Sequence, residues 1–162
     1  VEFDVVVEIP TGQRNKYEVE HGTGRIRLDR TLFTAMHYPA DYGYIEGTLG
    51  EDGDPLDALV IVDEPTFPGC VIACRAIAMY EMTDEKGPDA KILCVPSGDP
   101  RYDRFADLGS LSSFETGAIK HFFEQYKALE PNKMVLGSDW KDRTAAEVEI
   151  AAAFEREREH RI

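Results

Sequence analysis

The sequence predicts an α+β domain, mainly β, built as a small barrel or curled sheet with helices packed against it. Three observations lead there. Residues 3–95 break into short alternating or apolar runs separated by Gly- and Pro-bearing turns. Two amphipathic helical stretches follow, each opened by a Ser/Thr-x-x-Glu capping box. The chain has 162 residues, 43% of them apolar, which is one domain's length over 1–162 with enough chain for a real core.

Residues 3–9 form the first predicted strand, ended by Pro10. Phe3, Val5, Val7 and Ile9 share one face, and Asp4, Val6 and Glu8 the other. Residues 16–30 read as a hairpin about His21-Gly22-Thr23-Gly24, with Lys16, Glu18 and Glu20 alternating against Tyr17 and Val19. On the return strand Arg30 shares the face of Ile26 and Leu28. A basic residue there either snorkels at the strand end or serves a buried anion. Residues 37–46 are aromatic and broken by Pro39 and Gly43, so irregular structure around stacked tyrosines is expected. Tyr38 and Tyr42 are core residues or hydroxyl donors to a polar site.

Strands are predicted at 58–62, 70–82 and 91–95, with 96–109 as loop and a helical turn. Ser112-x-x-Glu115 opens a helix whose stripe is Ile119, Phe122, Phe123, Tyr126 and Leu129, with Lys127 in the last turn complementing the helix dipole. Thr144-x-x-Glu147 opens a C-terminal helix with Val148, Ile150, Ala151 and Phe154 inward and a charged end from Glu155 to Arg161.

The chemistry concentrates in Glu51-Asp52-Gly53-Asp54-Pro55-Leu56-Asp57, which places four carboxylates in seven residues without a base among them. Such a cluster is either a solvated turn or a site for a hard cation, because like charges this close need a counter-charge. Pro55, Leu56 and the apolar run that follows argue against a floppy loop. An EF-hand register fails, since Leu56 and Asp57 stand where an acidic or Asn residue and Gly are required. A second acidic loop, Asp84, Glu85 and Asp89, has the same build; it is either a solvated hairpin or a second carboxylate cluster beside the first. Lys16, Arg30, Lys91, Lys127, Tyr38, Tyr42 and Tyr126 stand near element ends. Several divalent ions with a few cations and phenols suit a dense polyanion such as a polyphosphate. No P-loop, dinucleotide fingerprint or Ser/Cys nucleophile motif is present.

The net charge of −13 argues against nucleic acid and anionic membrane as partners. No apolar run is long enough to span a bilayer, and the first residues lack a secretory pattern, so a cytoplasmic location is expected. Cys70, Cys74 and Cys94 lie in apolar runs and read as reduced core residues.

Asp52-Gly53-Asp54-Pro55-Leu56-Asp57 resembles the D-x-D-P-x-D motif of family I soluble inorganic pyrophosphatases of the short bacterial type. The likeness continues through Glu8-Ile9-Pro10, Lys16-Tyr17-Glu18, Asp29-Arg30, Tyr42-Gly43-Tyr44, Asp84, Asp89-Ala90-Lys91 and Tyr126-Lys127. It implies an OB-like five-stranded barrel with flanking helices that hydrolyses pyrophosphate with Mg²⁺, or with Mn²⁺ in its place. It implies that Asp52, Asp57 and Asp89 hold a first metal, that Asp57 bridges to a second, and that the attacking water lies between the two. Asp84 and Asp89 would hold a third, and Glu8 and Glu18 a further one. Asp54 would be the base, helped by Tyr42, with Asp89 the second candidate. Lys16, Arg30, Tyr126 and Lys127 would grip the phosphates, with Tyr38 and Lys91 around them. A homo-hexamer is implied as the assembly. The rival reading is a non-catalytic divalent-cation-binding OB module. His21 is either an exposed turn residue or part of the site rim.

Overall fold

The computed structural model describes residues 1–133 and 135–162, with the side chain at 136 left out. Its strands are β1 (Glu2–Ile9), β2 (Asn15–Val19), β3 (Ile26–Thr31), β4 (Asp41–Ile45), β5 (Asp57–Val60), β6 (Val71–Asp84), β7 (Gly87–Pro96) and β8 (Val135–Lys141). Two helices, α1 (Ser113–Gln125) and α2 (Arg143–Arg161), flank them.

The strand order β1-β4-β5-β7-β6 is closed by a further β1–β6 pairing, giving the expected five-membered ring. All its pairings are antiparallel except β5–β7. The ring is uneven, because β6 is much longer than the rest. Its first half pairs with β1 and its second half with β8, while β7 runs alongside nearly its whole length. β2 and β3 form a separate two-stranded sheet.

Period-two alternation divides the strand residues between two apolar clusters. Leu59, Leu93 and Val95 join one with Phe122 and Phe123 of α1. Ala58, Val60, Ile92 and Cys94 join the other with Ala146, Ile150 and Ala153 of α2. Cys74 and Cys94 are buried as expected, but Cys70 is only half-buried.

Several expectations need correction. Residues 41–45 are strand, not irregular structure. Gly43 explains both the appearance and the outcome: a Cβ there would lie 1.9 Å from the Val6 carbonyl oxygen, so only glycine lets β4 lie this close to β1. Strand β8 falls between the two helices, where none was expected. Its Gly-Ser-Asp stretch does not alternate, and pairing with β6 makes it a strand. The face carrying Ile26 and Leu28 is exposed, at 43% and 53%, so it is not core. Leu129 is exposed because α1 has ended at Gln125, before it. The C-terminal helix is capped by Asp142, whose side chain accepts from the Ala145 N–H. Thr144 is therefore inside the helix, and the inward stripe moves to Ala146, Ile150 and Ala153, leaving Val148 and Ala151 exposed. The Ser112–Glu115 capping box forms as expected.

Candidate active site

The acidic loop is a constrained turn. Gly50 N–H donates to the Asp54 carbonyl at 2.6 Å, Gly53 takes a φ of 90°, and the Asp54 N–H donates to the Asp52 carboxylate at 3.0 Å. Buried Thr48 ties the far side, accepting from the Leu56 N–H and donating to the Ile45 carbonyl. The loop then enters β5 at Asp57, which faces Tyr44 on β4 and Lys91 on β7 in the strand register. Asp89, two residues before Lys91 on β7, is brought beside it.

These elements surround a cleft of about 460 Å³. Its walls include Glu8, Asp52, Asp54, Asp57, Asp84 and Asp89. Lys16, Glu18 and Arg30 line it from the β2–β3 hairpin, and Tyr126 and Lys127 from the turn just past α1, so Lys127 is not in the helix's last turn as expected. Tyr42 and Lys91 stand at its base. Tyr38 is not on the wall; it is buried behind Tyr42, with ring centroids 5.3 Å apart, and also packs on Phe122. His21 is exposed and does reach the rim, edge-on to Tyr44. The sequence reading overlooked Lys86 and Lys133, which also line the cleft. Lys86 was visible inside the second acidic loop, whereas Lys133 lies in a turn without any motif.

Lys91 organises the cleft floor. It is 1% exposed, and its ammonium donates to Asp57 at 2.9 Å, to Asp89 at 2.9 Å and to the Tyr42 hydroxyl at 2.8 Å. Tyr42 in turn donates to Asp57 at 2.7 Å. The neighbouring Asp57, Tyr42 and Asp89 outweigh desolvation and hold the Lys91 pKa well above the usual lysine range. Around the wall, Lys16 pairs with Glu18 at 2.7 Å, and Lys127 lies 3.6 Å from Asp84.

Burial makes several of the acids reluctant to ionise. Desolvation raises Glu8 to about 7, although its carboxylate accepts from the Val19 N–H at 2.9 Å. Asp52 and Asp89 are pushed up for the same reason, with Asp57 adding repulsion. Burial also raises the phenols of Tyr38, Tyr42 and Tyr126, which keeps them protonated as donors. Among the described residues no three acids close on one point as a finished metal cage. Lys91 instead holds the place between Asp57 and Asp89. The donor set still fits a hard divalent cation: it is dominated by carboxylate oxygens, several crowded and costly to charge, and added positive charge would relieve both. A separate cavity of about 490 Å³ between α2 and the barrel is lined by Phe3, Ile150 and Phe154 and lacks this density of converging charge.

An OB-like barrel whose cleft sets clustered acids against lysines, an arginine and phenols defines a hydrolase built for a small, highly charged oxyanion. The family model for inorganic pyrophosphatase matches residues 5–158. An inorganic pyrophosphatase of Streptomyces coelicolor is 64% identical over 156 residues, covering 96% of each chain. The crystal structure of the inorganic pyrophosphatase of Thermus thermophilus superposes with a TM-score of 0.94 at 45% identity, over 97% of this chain and 91% of that one. An inorganic phosphatase of Anaplasma phagocytophilum gives a TM-score of 0.95 at 39% identity, over 97% and 94%. The chain belongs to the inorganic pyrophosphatase family.

Proposed function

We propose that this protein catalyses Mg²⁺-dependent hydrolysis of inorganic pyrophosphate to two phosphates, with Mn²⁺ able to substitute. The observation that carries the reading is the composition of this cleft. Asp52, Asp54, Asp57, Asp84 and Asp89 share its lining with Lys16, Arg30, Tyr126 and Lys127. The acids alone would repel pyrophosphate, and the cations alone would hold it without activating water. Family membership supports the same reaction.

Asp52, Asp57 and Asp89 would hold a first divalent ion, Asp57 a second, Asp84 with Asp89 a third, and Glu8 with Glu18 a further one. Bound there, such ions neutralise the substrate and lower the pKa of the attacking water. Asp54 accepts the water's proton. It stands exposed at the cleft mouth, whereas Asp89, the second candidate, is tied to Lys91. As the water oxygen bonds to one phosphorus, the bridging P–O bond breaks and the bridging oxygen leaves with the second phosphate. Lys16, Arg30, Tyr126 and Lys127 orient the phosphates and take up the developing charge, the general requirement of phosphoryl transfer. Tyr42 and Lys91 fix the Asp57 and Asp89 carboxylates, and Tyr38 backs Tyr42.

A non-catalytic cation-binding module accounts for the acids but not for the facing cations and phenols. We further propose one domain over 1–162, a homo-hexameric assembly and a cytoplasmic location. No helix among the described residues is long and apolar enough to cross a membrane.

The test is phosphate release from pyrophosphate with and without excess Mg²⁺, for the unaltered protein and Asp54→Asn. Loss of a general base is expected to lower kcat by about 10²–10⁴-fold. Fast release that survives the substitution moves the base to Asp89. No release with any divalent ion overturns the reading and leaves the ion-binding module.

A further inference from the structure

Glu130 belongs to none of the motifs above, yet it is among the most buried acids of the molecule, its side chain 4% exposed. It sits in the turn after α1. Its carboxylate meets the Arg30 guanidinium twice at Nη2, at 2.8 Å through Oε1 and 3.1 Å through Oε2. Asp29 takes Nη1 of the same guanidinium, and the Arg30 Nε is buried with no partner. The anion that Arg30 serves from its strand is thus, in the free protein, Glu130. The same turn bears on a second cleft residue, since the Glu130 N–H donates to the Lys127 carbonyl at 3.0 Å.

The ion pair also acts at a distance. Arg30 lies on β3, whose hydrogen-bonded partner β2 belongs with it to a sheet apart from the barrel. The outer positions Ile26 and Leu28 of that hairpin are exposed and Tyr17 and Val19 only half-buried, so apolar packing holds it less firmly than the barrel strands. Lys16 and Arg30 are direct partners in its register. A contact between residues 100 positions apart, made by a buried carboxylate, fixes what the hairpin's own core does not.

We infer that Glu130 is a positioning residue for substrate binding: through its ion pair it holds the Arg30 guanidinium on the cleft wall and pins the β2–β3 hairpin that carries Lys16. The inference rests on the reading of Arg30 as a group that grips pyrophosphate. A guanidinium fixed in advance binds phosphate without first giving up its side-chain freedom. Glu130 touches neither substrate nor ion, so its loss weakens ground state and transition state alike. That signature is a raised KM with kcat nearly unchanged.

The experiment is steady-state hydrolysis of pyrophosphate in excess Mg²⁺ by the unaltered protein, Glu130→Gln, Arg30→Ala and the double variant, with folding checked by thermal melting. Glu130→Gln is expected to raise KM about 10-fold and change kcat less than about 2-fold. Once Arg30 is alanine, adding Glu130→Gln is expected to raise KM no further. Glu130→Asp, which keeps the charge, is expected to recover part of the affinity. An unchanged KM in Glu130→Gln, or the same multiplicative rise with and without Arg30, overturns the inference while leaving the role of Arg30 intact. An unchanged KM in Arg30→Ala shows that the reading of Arg30 has failed, and the inference with it. If Glu130→Gln does not fold, Glu130→Asp decides, and an unchanged KM there counts against it.

Discussion

Lys91→Met removes the charge at the cleft floor while nearly conserving volume, so the cavity term stays small. The substitution strips Asp57 and Asp89 of a partner each meets at 2.9 Å, and Tyr42 of one at 2.8 Å. Breaking a buried pair from one side costs about 3–5 kcal/mol, because a charge is left uncompensated. Asp89 is 14% exposed and Asp57 27%, so water recovers part of that loss and the lower end, about 3 kcal/mol, is expected. For a chain of this size, that corresponds to a melting temperature lower by roughly 6–12 °C. The assay is thermal unfolding followed by circular dichroism, first in chelator and then in excess Mg²⁺. Divalent ions bound there, as proposed, would supply the counter-charge that the two carboxylates have lost, so Mg²⁺ is expected to raise the melting temperature of the variant more than that of the unaltered protein. A fall of less than about 2 °C in chelator, or equal Mg²⁺ stabilisation of both proteins, would refute the reasoning.

Two other predictions follow from the same structure. The raised Glu8 makes metal-free stability depend on pH: the unfolded chain loses this proton near 4.5 and the folded one near 7, so stability falls as pH rises through that window. Glu8→Gln is expected to remove the part of that slope nearest pH 7, gaining at most about 3 kcal/mol above pH 7 in chelator. Parallel melting curves across the window would count against it. Gly43→Ala drives a methyl into the Val6 carbonyl and the Val7 Cα, both backbone. It is expected to cost at least 3 kcal/mol, or about the upper range for overpacking, and an unfolding midpoint in urea within error of the unaltered protein would be the contrary result.

Much of the fold was readable because local chemistry specified it. Ser112 and Glu115 can cap a helix start reciprocally, and they do. The hairpins lay where polar turn residues divided apolar runs, and Gly87, with a φ of 110°, closes the one between β6 and β7. The glycine of β4 misled, since its purpose appears only when β1 is laid against it. The apolar face of Ile26 and Leu28 misled in the opposite sense, because period alone cannot say whether a face is covered. Asp41 shows the limit for acids. It stands in a stretch rich in site residues but is fully buried, accepting from the backbone and hydroxyl of both Thr11 and Thr66. It is a structural carboxylate, and no spacing distinguished it from the acids of the cleft.

The sequence by itself determined which candidate groups occur together: which carboxylates cluster within one loop, which cations and phenols accompany them, and hence the class of ligand. Those are short-range facts, carried by a few neighbouring residues. Tertiary structure alone decided which groups meet. Lys91 lies between Asp57 and Asp89, Glu130 grips Arg30, and His21 arrives at the rim, because each depends on strand register or on contacts between distant segments. It also decided which carboxylates resist ionisation, since burial and the surrounding charge follow from packing and not from residue type.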